Sequence, residues 1–199
     1  MVQWQNITFP RLRRGFDSLH PLNERNRKIE GTERSEDSLH PLKMIIGWDR
    51  FNRAVNKTVE SVESSPFCPN TIVAVGISGL IPATIVAKKL RCKDVQILVV
   101  ESYSGKQRLQ PRLVSLGLTA LAGKQVLCVD DIVATGETFE LVRQQILKHK
   151  PQAVKFAAPI ISKRICKTYP DFWGEAVMRT KNDFIRFPWD EEGNGKLIP

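Results

Sequence analysis

The sequence VLCVDDIVATGET, at residues 126–138, decides the fold that we expect for this chain. Its first four residues are apolar and end in two adjacent carboxylates, Asp130 and Asp131, and a short loop containing Gly136 then leads into a helix-forming segment. A continuous apolar run is typical of a strand buried on both faces of a parallel sheet. Because such sheets bind ligands beyond the carboxyl ends of their strands, the carboxylates and the loop are predicted to form a binding site.

The loop and the carboxylates suit two different parts of one ligand. The backbone N–H groups of Thr135 to Thr138, the two threonine hydroxyls and the positive end of the following helix dipole suit a phosphate. Asp130 and Asp131 would instead accept hydrogen bonds from vicinal sugar hydroxyls or lie near a hard cation such as magnesium. A phosphorylated ribose carries both kinds of group. The alternative is an acidic turn in which Asp131 and Thr135 only cap the helix.

On both sides of this stretch the apolar pattern alternates between strands and helices. In chain order it predicts a helix carrying the apolar positions from Met44 to Val62, a strand at 71–75, a helix from Pro82 to about Leu90, strands at 95–101 and 125–129, a helix at 138–149 and a strand at 153–161. Strands that alternate with helices in this way predict an α/β fold with a doubly wound, mostly parallel sheet.

Two connections between these predicted elements differ from ordinary loops in composition or length. The turn at 76–79 contains two glycines and follows the strand at 71–75. The polar stretch at 102–123 contains Lys106, Arg108 and Arg112 and has no sustained period, which predicts irregular structure. Its length is uncommon for an ordinary connection, so it is either a mobile lid or a solvated loop.

Residues 1–43 differ from the rest of the chain, since they are rich in polar residues and have few apolar positions at a regular period. This composition predicts a flexible arm before a single domain at 44–199. The hexapeptide DSLHPL occurs in the arm at 17–22 and again at 37–42. Two copies are too few for a repeat architecture, so a duplicated flexible segment is favoured over a docking motif.

Composition and charge narrow the classes of partner. The net charge of +9 favours anionic partners, but no Lys/Arg run with interleaved aromatic residues is present, which disfavours nucleic acid. The apolar stretches are far shorter than the roughly 20 residues that span a bilayer, so no membrane association is expected. No apolar segment typical of a secretion signal follows the first basic residues. We therefore expect a cytoplasmic protein with reduced cysteines at 68, 92, 128 and 166.

The 126–138 stretch closely resembles the phosphoribosyl-pyrophosphate signature of the type I phosphoribosyltransferases, in which a strand, two acidic residues and a D/A-T-G-x-T loop follow one another. The resemblance extends over about 44–190 and leaves the arm uncovered. The pair Ser102-Tyr103 and the sequence FPWD at 187–190 make the chain most similar to the xanthine-guanine and hypoxanthine branch. The resemblance implies the mostly parallel α/β fold of that family with a small C-terminal hood.

The resemblance also implies an activity. The expected reaction transfers ribose 5-phosphate from 5-phosphoribosyl-1-pyrophosphate to a nitrogenous base of the purine type and releases pyrophosphate, as in nucleotide salvage. Mg²⁺ is the implied cofactor and would bridge the ribose diol and the pyrophosphate. Relatives commonly form dimers or tetramers, so a homo-oligomer is expected.

The family's functional residues carry over to numbered positions of this sequence. Asp130 and Asp131 would be the catalytic pair, binding the ribose hydroxyls and holding the metal directly or through the diol and water. The residues expected to contact phosphoribosyl pyrophosphate are Ser78, Gly79, Ser102, Tyr103, Lys106, Arg108, Ala134, Thr135, Gly136, Glu137 and Thr138. Those expected to bind the base are Phe184, by stacking, Ile185, through its backbone, and Asp190. Phe184 could instead be an aromatic residue that fills the core.

Three positions depart from the pattern of the purine branch. Ala134 replaces an aspartate that handles the proton of the base, and Ala158 replaces a lysine that faces the 6-oxygen. The turn at 76–79 also lacks an arginine. These departures support an alternative function, a regulator that binds the donor or a nucleotide without turnover. A third hypothesis is an RNA-associated regulator that uses the basic surface and the arm.

Overall fold

The computed structural model describes residues 43–104, 107–181 and 183–190. The arm up to residue 42 with its two DSLHPL copies, and Lys106 of the expected site, lie outside the described residues. In chain order the elements are β1 (Lys43–Ile45), α1 (Trp48–Glu63), β2 (Thr71–Val75), α2 (Leu80–Lys89), β3 (Val95–Ser104), β4 (Gln107–Gly117), β5 (Gln125–Val129), β6 (Ile132–Val133), α3 (Glu137–Leu147), β7 (Ala153–Ser162), β8 (Phe172–Val177) and β9 (Phe184–Arg186).

The main sheet has seven strands. Six follow the order β4-β3-β2-β5-β7-β6, and β8 also pairs with β7. All pairs are parallel except β3 with β4. Residues 71–75 are buried throughout, as are 126–129, because the sheet is covered on both faces. The expectation of a mostly parallel, doubly wound sheet is confirmed.

Alternation along the strands divides the core into two layers. Ile72 and Ala74 of β2 face a layer that contains Phe51 and Val55 of α1 and Val86 of α2. The neighbouring residues of the same strand, at 73 and 75, face a second layer around the buried face of α3. A helix on each face of the sheet explains why β2 and β5 read as continuous apolar runs instead of alternating ones.

The stretch at 102–123 differs from the sequence-based expectation of irregular structure. Strand β3 continues to Ser104, and β4 returns antiparallel to it, so that the two strands form a hairpin. An ion pair of 2.7 Å between Arg112 and Glu101 links the two strands where both side chains are exposed. Val100 and Leu113 pack against the core layer around α3. Two register shifts between β3 and β4 interrupt the apolar alternation along β4, which is why its sequence resembled a loop.

The C-terminal hood, residues 43–46 and 184–190, is a second small sheet in which β1 pairs in parallel with β9. Met44 was expected in the first helix but lies in β1, and α1 begins at Trp48. The rings of Phe187 and Trp189 stack at 4.8 Å, and Trp189 also packs edge-on against Phe51 at 4.8 Å. The hood is therefore fastened to the first turn of α1. No helix in the described ranges is long and apolar enough to cross a membrane.

Candidate functional site

A cleft of about 180 Å³ opens at the carboxyl ends of β2 and β5. It is lined by Val75, Gly76, Ile77, Ser78, Val100, Asp130, Asp131, Ile132, Val133, Ala134, Thr135, Gly136, Thr138 and Phe139. The structure therefore brings together the acidic pair, residues 134–136 and 138 of the loop, and residues 76–78 of the turn. Gly79 and Glu137, which were also expected in the site, are not part of this lining. The apolar members of the lining were not predicted as site residues, because in sequence they resemble ordinary core positions.

The turn after β2 is pressed against the ends of two strands. A side-chain carbon at Gly79 would lie 2.2 Å from the carbonyl oxygen of Val75 and 2.9 Å from that of Val129. Only glycine allows this approach without displacing backbone. Gly79 is buried and Ser78 beside it is exposed, so the turn borders the cleft next to the acidic pair.

The acidic pair is held by backbone hydrogen bonds at the end of β5. The N–H of Asp130 donates to the carbonyl oxygen of Ala157 on β7 at 3.1 Å, and the N–H of Asp131 donates to Oδ1 of Asp130 at 2.9 Å. Asp131 is only 8% exposed. Asp130 is half-buried, so solvation of charge is reduced at both carboxylates and most strongly at Asp131.

This environment opposes ionisation of both groups. Removal from solvent raises the pKa of Asp130 well above its ordinary value, and the neighbouring charge of Asp131 raises it further. Removal from solvent also raises the pKa of Asp131 to about 6, and the charge of Asp190 adds to this rise. The described lining of the cleft contains no Lys or Arg, so the pair is suited to a ligand that supplies hydroxyl donors or positive charge.

A divalent cation fits this donor set, because such ions prefer carboxylate oxygens. Within the described ranges no group of three or more metal-binding side chains comes together. A cation held by Asp130 and Asp131 would therefore take its other ligands from a bound substrate and from water.

The loop after the acidic pair leads into the N-terminus of α3. Its N-cap is Gly136, with a φ of 94° in the left-handed region, and not Asp131 or Thr135 as the capping alternative required. The N–H of Glu137 lies 3.5 Å from Oγ1 of Thr135, at the outer limit of a hydrogen bond. The first turn of α3 thus borders the cleft with its positive dipole end, an arrangement that suits an anion.

The hood contributes the three residues expected to bind a base. Phe184 is 61% exposed, so it does not fill the core. The side chain of Ile185 is buried, which leaves only its backbone for a ligand. Asp190 accepts a 2.7 Å hydrogen bond from the N–H of Phe187, and its charge acts on Asp131. The hood therefore approaches the acidic pair through Asp190.

The hairpin carries the remaining expected residues. Ser102 and Tyr103 lie in β3 and Arg108 in β4, with Tyr103 opposite Arg108 in the strand register. Val100 of β3 lines the cleft, so the hairpin leaves the sheet beside it. At two of the three departures from the family pattern, Ala134 lines the cleft and Ala158 is fully buried in the core layer that contains Phe139.

The chain was also compared with known proteins. The sequence profile of the Phosphoribosyl transferase domain matches residues 43–194. A xanthine-guanine phosphoribosyltransferase from Gluconobacter oxydans is 31% identical over 149 residues, which cover 73% of this chain and 83% of the relative. One from Idiomarina loihiensis is 29% identical over 73% of this chain and 86% of the relative. The crystal structure of a purine phosphoribosyltransferase from Pyrococcus horikoshii matches with a TM-score of 0.63 and 27% identity, over 78% of this chain and 99% of that one.

Proposed function

This chain belongs to the phosphoribosyl transferase domain family, and on that premise we propose that its cleft is the active site for transfer of ribose 5-phosphate from 5-phosphoribosyl-1-pyrophosphate to a purine. The chain is a phosphoribosyltransferase of purine salvage, like the xanthine-guanine enzymes it resembles. The observation that carries the assignment of the cleft is that two adjacent carboxylates, a half-buried Asp130 and a buried Asp131, line one cavity with a helix N-terminus at the end of β5.

The acidic pair binds the ribose. Asp130 and Asp131 accept hydrogen bonds from the 2- and 3-hydroxyls of the sugar. These hydrogen bonds replace those that water would make to two neighbouring carboxylates in a more exposed position. Because burial raises the pKa of both groups, these donors stabilise the ionised form of the pair. The ionised pair in turn favours the positive charge that develops on the sugar as the pyrophosphate leaves.

The two glycine-containing segments bind the two ends of the donor. Residues 134–138 bind the 5-phosphate through backbone N–H groups, threonine hydroxyls and the dipole of α3. The turn containing Ser78 and Gly79 binds the pyrophosphate through its own N–H groups at the start of α2. Fixing both ends positions the anomeric carbon toward the hood, so the reaction is accelerated mainly by orientation and electrostatics.

The metal is part of this proposal. The family uses a divalent metal, and we assign Mg²⁺, held by Asp130 and Asp131 directly or through the ribose diol and water. When bound, it would supply positive charge to the departing pyrophosphate.

The hood and the hairpin complete the site. Phe184 stacks on the purine, the backbone of Ile185 reads its edge, and Asp190 lies on the side of the base that faces the acidic pair. The residues expected from the resemblance, Ser102, Tyr103, Lys106 and Arg108, contact the pyrophosphate and exclude water from the cationic sugar. A homo-oligomer and a cytoplasmic location remain predictions.

The experiment measures pyrophosphate release from the donor with Mg²⁺ and adenine, hypoxanthine, guanine or xanthine. A base-dependent signal that is lost in Asp131→Asn and kept in Asp49→Asn supports the proposal, because Asp49 is an exposed carboxylate of α1 that does not line the cleft. Donor binding without release for every base would support the non-catalytic regulator instead. No donor binding would contradict the assignment of the cleft.

A further inference from the structure

The peptide group between Thr135 and Gly136 is hydrogen-bonded by the connection that joins β7 to β8. The backbone N–H groups of Lys167 and Thr168 both donate to the carbonyl oxygen of Thr135, at 3.0 and 3.3 Å. No motif in the sequence links these two segments. The carbonyl of Thr135 is therefore turned toward the 167–168 segment.

The two segments, 134–138 and 167–168, lie in close contact at Gly136. A side-chain carbon at this position would lie 2.5 Å from the carbonyl oxygen of Thr168 and 2.7 Å from its Cβ. The φ of 94° would also strain any L side chain. The face of Gly136 that would carry a side chain is thus occupied by Thr168, while another face lines the cleft.

The supporting segment is itself anchored to the sheet. The N–H groups of Ile165 and Cys166 donate to the carbonyl oxygen of Ser162, the buried last residue of β7, at 3.1 and 2.9 Å. The N–H of Lys163 donates to the carbonyl oxygen of Val177 on β8 at 3.0 Å. The segment can therefore hold the loop in one conformation before a ligand arrives.

All described peptide bonds are trans, and in a trans peptide the carbonyl and the following N–H point in opposite directions. With the carbonyl of Thr135 bound on the outer side, the N–H of Gly136 is directed into the cleft. We propose that Lys167 and Thr168 are positioning residues whose backbone N–H groups aim the N–H of Gly136 at the 5-phosphate. This inference rests on the proposed function, since it takes residues 134–138 as the phosphate site.

The test removes one supporting N–H and leaves the rest of the segment. Lys167→Pro lacks the N–H, and Lys167→Ala keeps it, so the difference between the two variants isolates the backbone contribution. Binding of ribose 5-phosphate and of pyrophosphate is measured by calorimetry. We expect Lys167→Pro to bind ribose 5-phosphate about tenfold more weakly than Lys167→Ala, because the N–H of Gly136 would no longer be aimed at the charged phosphate and that hydrogen bond would be lost. Both variants should bind pyrophosphate equally. In turnover, the KM for the donor should rise and the KM for the base should not.

Equal ribose 5-phosphate affinity in the two variants, with native circular dichroism, would overturn the inference. If Lys167→Pro does not fold, amide NMR of the unaltered protein decides: the Gly136 amide proton should move downfield with ribose 5-phosphate and not with pyrophosphate. A Gly136 signal that stays still while neighbouring loop amides shift would also overturn it. If the unaltered protein binds neither ligand, the proposed function itself fails, which is a distinct result.

Discussion

The backbone N–H of Asp131 donates a 2.9 Å hydrogen bond to Oδ1 of Asp130. This bond fixes the side chain of Asp130 beside Asp131, so that both carboxylates line the cleft at the end of a strand whose residues 126–129 are buried. In a turn with only a structural role, two carboxylates at this place would lower the stability of the fold, since desolvation and mutual repulsion both oppose their ionisation. The arrangement becomes favourable when a ligand donates to both groups, and this has measurable consequences.

The first concerns stability and pH. The pKa of Asp131 rises from 3.8 to about 6 on folding, so between these values the folded state keeps a proton that the unfolded state has lost. Stability therefore falls as pH rises through this window. Asp131→Asn removes the penalty and should be more stable than the natural protein by about 3 kcal/mol at pH 7, and equally stable near pH 3, below the pKa of the group in the unfolded chain. Urea unfolding at the two pH values measures this, and an equal difference at both would contradict it.

The same variant should lose function where it gains stability. Asp131→Asn, and separately Asp130→Asn, should each lower kcat/KM for the donor by about 100-fold, since each removes a charged acceptor for a ribose hydroxyl. Steady-state kinetics at saturating Mg²⁺ measure this. The exposed Asp49→Asn is the matched control, and a similar loss in that variant would show that the effect is not local to the cleft.

Gly79 tests the packing of the turn against the strand ends. Gly79→Ala places a carbon 2.2 Å from the carbonyl oxygen of Val75, and we expect a loss of about 2 kcal/mol or more of stability together with donor affinity. Gly47→Ala is the control, because no atom lies within 4 Å of a side-chain carbon there. Thermal unfolding and donor titration of both variants measure the effect; unchanged donor affinity in Gly79→Ala would mean that the turn does not contact the ligand.

Two aromatic residues of the hood should behave differently. Phe184 is 61% exposed, so Phe184→Ala should leave the melting temperature unchanged and raise the KM for the base about tenfold, with Phe184→Trp restoring it. Phe187 is buried and stacks on Trp189, so Phe187→Ala should instead cost about 3 kcal/mol of stability. Base-dependent kinetics and thermal unfolding separate the two effects, and a stability loss in Phe184→Ala would make it a structural residue.

The hairpin of β3 and β4 is expected to act as a lid over the bound donor. Limited proteolysis between residues 102 and 117 should slow when donor and Mg²⁺ are added together, because closure removes the hairpin from solvent. Donor with a chelator provides the control. Equal rates of cleavage with and without the ligands would contradict a closing motion.

Much of the candidate site was predictable because its parts have local signatures. The pair Asp130-Asp131 follows a continuous apolar strand, and the threonine-glycine loop opens a helix, so sequence alone placed both at the carboxyl edge of a parallel sheet. The strands at 71–75 and 125–129 were predicted with the bounds that the structure has. The hairpin was missed because register shifts in the pairing of β3 and β4 interrupt the apolar alternation along β4.

The sequence by itself determined the class of fold, the order of the three helices and of strands β2, β3, β5 and β7 along the chain, and the chemistry of the acidic pair, since each depends on residues that are neighbours in the chain. Only the tertiary structure decided that β1 pairs with β9 to form the hood, that Gly79 lies against Val129, and that residues 167–168 support the phosphate loop. These contacts are made by backbone atoms of segments far apart in the chain. Because every residue type except proline carries the same N–H and carbonyl, such contacts leave no mark in the sequence.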